Sequence, residues 1–174
     1  MKKIVIIGPE STGKSTLCEQ LAGHYNTVWC PEYARAYLNE NGKGYDYNDL
    51  LKIAAGQLIL EDTLVQEASN LYFIDTDMYV MKVWSEYVFG KCHQFILDNV
   101  VKREYDLYLL CNIALPWTHD ELREYPEAAS RKELYHIYKD ILINQQTPWT
   151  EISGSYDERL KLATAAVEKY MKEK

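Results

Sequence analysis

The chain has 174 residues, a length that predicts one domain, residues 1–174, with room for a full core. Hydrophobic residues make up 47% and charged residues 26%, the balance of an ordinary globular chain, which excludes disorder and fibrous architecture. With 19 Lys and Arg against 26 Asp and Glu the formal charge is -7, so neither nucleic acid nor an anionic membrane is an expected partner, and any anionic ligand must be held by local chemistry.

At the N-terminus two lysines and an apolar run imitate a signal peptide. The run stops after four residues at Gly8-Pro9, short of the roughly 7 to 15 that a secretory signal needs. Residues 3–8 read instead as a first strand. Gly8-Pro9-Glu10-Ser11-Thr12-Gly13-Lys14-Ser15 then satisfies G-x-x-x-x-G-K-[ST], directly after that strand and directly before a helical pattern over residues 14–24. Gly8 and Gly13 let the backbone wrap a phosphate, and the amides from Ser11 and Thr12 through to Thr16 point inward at the positive end of the helix. Lys14 is placed to reach the β and γ phosphates of ATP, and Ser15 to offer its hydroxyl to Mg2+. A plain glycine turn before a capped helix is the competing reading, which the strand and helix context disfavours. Glu10 is unusual in such a loop, because a carboxylate repels phosphate. It is expected to point away, toward a substrate hydroxyl.

A second strand over residues 27–30 leads into Pro31-Glu32-Tyr33-Ala34-Arg35, at the start of a helix over 33–41. Glu32 and Arg35 share a face of that helix. A carboxylate there can take the proton of an attacking hydroxyl, while an Arg binds a phosphate oxygen or orients the carboxylate; a surface ion pair is the other reading of this spacing. Asn41-Gly42-Lys43-Gly44 reads as a turn. A long helix follows over 47–69, with Leu50, Leu51, Ile53, Ala54, Leu58, Leu64 and Val65 as its buried stripe. The third strand, 71–75, ends in Asp75-Thr76-Asp77, the Walker B pattern in which Asp75 holds the Mg2+ shell. On an extended chain Asp77 points to the same side as Asp75 and meets the substrate. Capping the helix over 78–89 is its alternative role, and one carboxylate can do both.

Helices over 93–104, 130–145 and 157–173 and strands over 106–111 and 149–153 complete the pattern. Short apolar runs alternating with helical segments are the signature of β-α-β units in a parallel sheet, so the fold class is α/β. The stretch 112–129 is longer than an ordinary strand-to-helix connection. It reads as a lid, about 112–131, with Arg123 and Arg131 as candidates to stabilise charge on a transferring phosphoryl group. Tyr33, Tyr37, Tyr79, Trp84 and Trp117 fall near the inferred cleft, where an aromatic face can stack a base or a pyridine ring. Four cysteines, Cys18, Cys30, Cys92 and Cys111, show no metal-like spacing and read as reduced thiols in a cytoplasmic protein.

Several blocks together carry a resemblance. The phosphate loop, Pro31-Glu32-Tyr33-Ala34-Arg35, Phe73-Ile74-Asp75-Thr76-Asp77, Gly90-Lys91-Cys92-His93 and Trp117-Thr118-His119-Asp120-Glu121-Leu122-Arg123 look like those of the NadR-like ribosylnicotinamide kinase domain. The resemblance implies a P-loop NTPase of nucleoside and nucleotide kinase type, with five parallel strands in the order 2-3-1-4-5. It implies transfer of the ATP γ phosphate to the 5'-hydroxyl of nicotinamide riboside. Lys14 and Ser15 would then handle ATP and magnesium, and Glu32, Arg35 and Asp77 would face the riboside, with Glu10, Tyr33 and Trp84 beside it. Larger relatives carry a nucleotidyltransferase domain before the kinase and some a DNA-binding domain; neither is expected here. Another nucleoside acceptor, or a regulatory ATP-binding protein without kinase activity, is the alternative to this reading.

Overall fold

The computed structural model describes residues 1–116 and 127–172. Five strands form one sheet: β1 (Lys2–Ile7), β2 (Trp29–Cys30), β3 (Leu71–Asp75), β4 (Leu107–Cys111) and β5 (Trp149–Ile152). Their order is β2-β3-β1-β4-β5, and every pairing is parallel. Seven helices run between and after them among the described residues: α1 (Lys14–Tyr25), α2 (Tyr33–Asn41), α3 (Tyr47–Leu64), α4 (Met78–Phe89), α5 (Gln94–Lys102), α6 (Ala128–Ile143) and α7 (Tyr156–Lys172). The expected α/β class and the expected strand order are both present.

Parallel strands covered on both faces need apolar side chains on both, and β1 supplies them. Ile4 and Ile6 pack with Leu17, Leu21, Phe73, Leu109, Ala163 and Val167 on the side of α1 and α7. Val5 and Ile7 face the opposite way, into Tyr72, Ile74, Tyr108, Leu110, Leu134 and Leu142. A third cluster joins α2, α3, α4 and α5 through Ala34, Leu50, Ile53, Ala54, Leu58, Met78, Met81 and Ile96.

The long helix ends earlier than its periodicity predicts. Beyond Leu64 the chain tightens into a single 3-10 turn, Val65–Glu67, and Leu51, Leu64 and Val65 are only half-buried. The places of the predicted stripe near the helix end go to Gln57 and Glu61, which are buried. At the other end of the same helix a reciprocal capping box fixes the start: Asp46 accepts from the amides of Asn48 and Asp49, and Asp49 accepts from the amide of Asp46. No helix among the described residues is long and apolar enough to cross a membrane.

The order of the strands reverses at β1, so the loops after β1, β2 and β3 open onto one crevice. Crevices of this kind, beyond the carboxyl ends of parallel strands, are where open α/β sheets place their ligands.

Candidate active site

The loop between β1 and α1 is held by its own backbone and by distant residues. Gly8 has φ +146, and a side chain there would put Cβ at 2.5 Å from the carbonyl of Cys111. Gly13 occupies the helix cap with φ 75 in the left-handed region. It supplies no side-chain cap, and no acidic residue stands in the first turn of α1. The first amides of the helix therefore remain available to an anion, reinforced by the positive end of the helix dipole. Inside the loop the Thr12 hydroxyl donates to the Pro9 carbonyl at 2.8 Å, and the Lys14 ammonium donates to the same oxygen at 3.0 Å.

A cavity of about 270 Å³ opens above this loop. Its floor is Glu10 to Thr16. Glu32, Ala34, Arg35 and Leu38 of the β2–α2 region form one wall; Val80, Val83, Trp84 and Tyr87 of α4 and Leu134 and Tyr138 of α6 form the other. Lys43, Pro116 and Tyr156 complete the rim. Phosphate-binding groups, two carboxylates and an apolar wall thus share one concave space, the usual composition of a small-molecule site.

Of the residues singled out from the sequence, Glu10, Ser11, Thr12, Gly13, Lys14, Ser15, Thr16, Glu32, Arg35 and Trp84 line this cavity. Trp84 is aimed by a residue that no motif marked: its indole N–H donates to the Tyr45 hydroxyl at 2.9 Å. Glu32 caps α2 in extended conformation, yet its side chain makes no cap hydrogen bond. Burial pushes the Tyr138 phenol up, and the charges of Glu32, Asp77 and Glu10 add to the rise.

Asp75 is fully buried and accepts from the Ser15 hydroxyl at 2.5 Å. Burial raises its carboxyl above the ordinary range, Lys14 opposes the rise and Glu32 adds to it. A hydroxyl and a carboxylate oxygen at the edge of a phosphate loop are hard donors of the kind Mg2+ takes. Among the described residues no cluster of three or more His, Cys, Asp or Glu stands ready for a metal. A pair of oxygen donors fits an ion that takes the rest of its shell from water and phosphate oxygens, as Mg2+ does.

Five of the residues singled out from the sequence are placed elsewhere or lie outside the described residues. Asp77 does not line the cavity and takes the capping role that the sequence offered as its alternative. Thr76 has φ 77, a left-handed conformation that is strained for a β-branched residue, and it breaks the alternation on which the same-side placement of Asp75 and Asp77 depends. One Asp77 oxygen accepts from the amides of Tyr79 and Val80, capping α4, and the other accepts from the Tyr108 hydroxyl at 2.8 Å. Burial pushes its carboxyl up to about 7. Tyr33 also turns away, its ring lying against Gly56 of α3. Arg131 belongs to the first turn of α6 and is buried, donating to the carbonyls of Ser11 and Leu115 at 3.5 and 3.3 Å; it links the phosphate loop to the segment after β4. Arg123 and Trp117 lie outside the described residues.

The Gly-Lys-Cys-His block is a structural joint. Gly90 ends α4 in left-handed conformation, His93 stacks on Tyr47 with ring centroids 3.7 Å apart and bonds its carbonyl at 2.9 Å, and Lys91 lies over the same ring at 4.2 Å. It ties the α4–α5 turn to the start of α3.

One residue at the site escaped the motifs altogether. Arg159 of α7 is 1% exposed, and its guanidinium donates to the Thr12 carbonyl at 2.7 Å, the Asn112 carbonyl at 2.9 Å and the Gly154 carbonyl at 2.9 Å. It also reaches the Asn112 side chain at 3.2 Å. The ends of β1, β4 and β5 are thereby fastened to one side chain. Only its position in an otherwise ordinary amphipathic helix was visible in the sequence.

Comparison with known proteins bears on the family and the fold. A family model described as "AAA domain" matches residues 3–159. The chain is 30% identical to the trifunctional NAD biosynthesis/regulator protein NadR of Escherichia coli (strain K12), over 99% of this chain and 43% of that protein. The corresponding Salmonella typhimurium protein is 29% identical over the same shares. The chain thus spans less than half the length of these curated relatives. Among solved structures, NadR protein in complex with NR superposes with a TM-score of 0.80 at 22% identity, covering 97% of this chain and 51% of that one. Deoxyadenosine kinase from M. mycoides with bound dATP gives a TM-score of 0.62 at 13% identity, covering 97% of this chain and 100% of that one. The fold is that of P-loop nucleoside kinases.

Proposed function

The chain belongs to the AAA domain family as a NadR-related P-loop domain, and from that premise we propose that it is an ATP-dependent kinase whose acceptor is the 5'-hydroxyl of nicotinamide riboside. The observation that carries this reading is the placement of Glu32. A carboxylate that its own helix does not use for capping lines the same cavity as Lys14, Ser15 and Trp84. A hydrolase switch has no need of a second, partly apolar wall facing its phosphate loop, whereas a kinase must seat an acceptor there.

In this mechanism the loop amides from Ser11 to Thr16 and the Lys14 ammonium receive the β and γ phosphates of ATP. Ser15 and Asp75 are the residues that would hold Mg2+, which when bound supplies neutralising charge to the phosphate oxygens. Glu32 accepts the proton of the attacking hydroxyl and aligns it with the γ phosphorus. Trp84 offers a face to the acceptor's ring, with a further attraction if that ring is a pyridinium. Glu10 and Glu32 bring two carboxylates to a cavity that Arg35 and Lys43 also line, so a cationic nucleoside ring can meet negative charge there while the cations serve phosphate. Transfer itself is loose and largely electrostatic, so Lys14 and the amides carry more of the rate than the base does.

The test is ADP release measured over a panel of nucleosides with Mg2+ and ATP. Turnover that rises with nicotinamide riboside and yields nicotinamide mononucleotide supports the proposal, and Glu32→Gln should lower it about 10²-fold or more. Hydrolysis indifferent to every nucleoside would make the protein an ATP-binding regulator instead.

A further inference from the structure

Pro31 and Glu32 follow a strand of only two residues, and the ladder between β2 and β3 ends at Cys30 opposite Ile74. The ladder thus stops short of the segment that carries Glu32. The next amide, that of Tyr33, is the first of α2 and, like every first-turn amide, has no acceptor within its own helix. Both needs are met from α3. Gln57, 1% exposed, accepts from the Tyr33 amide at 2.7 Å and donates from its side-chain nitrogen to the Pro31 carbonyl at 3.4 Å and to the Cys30 sulfur at 3.3 Å. One carboxamide grips the peptide groups on both sides of Glu32.

The chemistry of the grip is specific to glutamine. Its oxygen must accept and its nitrogen must donate, so Glu lacks the donor, Met lacks both, and Asn is shorter by one methylene. The neighbouring residue acts on the same segment. A Cβ at Gly56 would stand 2.1 Å from Cε1 of Tyr33, so the Tyr33 ring lies directly on the backbone of α3. Gly56 and Gln57 thus dock the start of α2 on α3 at the place where Glu32 enters the cavity.

We propose that Gln57 is the positioning residue for Glu32, setting the rate of phosphoryl transfer through the carboxylate's location while touching neither nucleotide nor acceptor. This rests on the assignment of Glu32 as the group that meets the acceptor hydroxyl. A displacement of about 1 Å at such a group can lower turnover by up to about 10²-fold. A buried residue that merely stabilises the fold would instead act alike on every version of the enzyme.

A double-mutant cycle of Gln57→Met and Glu32→Gln, read as kcat and as KM for ATP with nicotinamide riboside as acceptor, separates the two. Gln57→Met alone should lower kcat about 10- to 100-fold and leave KM for ATP within about twofold; in the Glu32→Gln background it should change kcat by less than about twofold. Gln57→Glu, which keeps the bond to the Tyr33 amide and loses the donor to Pro31, should fall between wild type and Gln57→Met, and it carries the same cycle if Gln57→Met does not fold. An equal factor in both backgrounds overturns the positioning role while the kinase reading stands. A wild-type chain with no riboside-dependent turnover, or a Glu32→Gln variant at wild-type rate, removes the kinase reading or the role of Glu32, and the positioning role falls with it.

Discussion

Replacing Arg159 by Met keeps most of the side-chain volume and removes every donor. Three backbone carbonyls, those of Thr12, Asn112 and Gly154, then lose a guanidinium partner in a place that is 1% exposed. Each buried acceptor left without a partner costs about 1–3 kcal/mol, and hydrogen bonds to charged donors lie toward the upper part of that range. Against this, the variant no longer has to take a charge out of water, a relief that offsets part of the loss. The net destabilisation expected is about 3 kcal/mol, the lower end of the sum. For a chain of this size each kcal/mol moves the midpoint by about 2–4 °C, so Tm should fall by about 6–12 °C. Arg159→Lys keeps a charge and reaches one carbonyl at a time without the planar fork, so it should recover about 1 kcal/mol. Thermal unfolding followed by circular dichroism, with and without a non-hydrolysable ATP analogue, reads both the clamp and its effect on the loop. Because Thr12 lies in the phosphate loop, the stabilisation conferred by the analogue should shrink in Arg159→Met, in proportion to the weakened binding. A variant that melts within about 2 °C of wild type and responds equally to the analogue would refute the reasoning.

Lys14→Ala removes the one ammonium on the cavity floor and should lower kcat/KM by at least about 10²- to 10³-fold in the ADP-release assay, since no other side chain in the loop carries positive charge. Gly56→Ala forces a methyl group into the Tyr33 ring; overpacking of this kind costs about 1–3 kcal/mol, and calorimetry should find Tm lower by about 2–12 °C. Glu61 is buried beneath Lys3, Arg103 and Tyr105, and burial outweighs these partners, raising its carboxyl above the ordinary 4.5. The folded chain then holds this proton at pH values where the unfolded chain has lost it, so the contribution of Glu61 to stability is full below about 4.5 and declines as pH rises toward the raised value. Glu61→Gln should therefore gain on wild type in Tm as pH increases through that window and show no further gain above it; a variant that instead loses ground on wild type as pH rises through it would contradict the sign.

Local sequence rules carried the reading a long way. A glycine-punctuated loop between a short apolar run and a helical pattern depends on neighbours in the chain, so Gly8 to Thr16 were placed without knowledge of the fold, and β3 and the helix from Tyr33 were bounded to the residue. The parallel alternation gave the α/β class, and the sheet order followed from the resemblance alone. Glu32, Arg35 and Trp84 were recognised as cavity residues because they sit just beyond strand ends or on the helix that follows one.

What the sequence by itself determined is everything set by contacts a few residues apart: the strands, the helices, and the phosphate loop with its Lys14 and Ser15. Tertiary structure alone decided the rest. The cap that Asp77 makes on α4 was one of two roles open to it in the sequence; the left-handed conformation of Thr76 and the bond from Tyr108 came only with the fold, and nothing local to Asp75-Thr76-Asp77 announces them. Arg159 reaches Thr12 across 147 residues of chain, and Gln57 reaches Tyr33 across 24. The physical reason is common to both. A backbone carbonyl or amide at a strand end must find a partner once it is buried, and which side chain supplies it depends on which helix the fold lays alongside, a choice made by packing and carried by no motif.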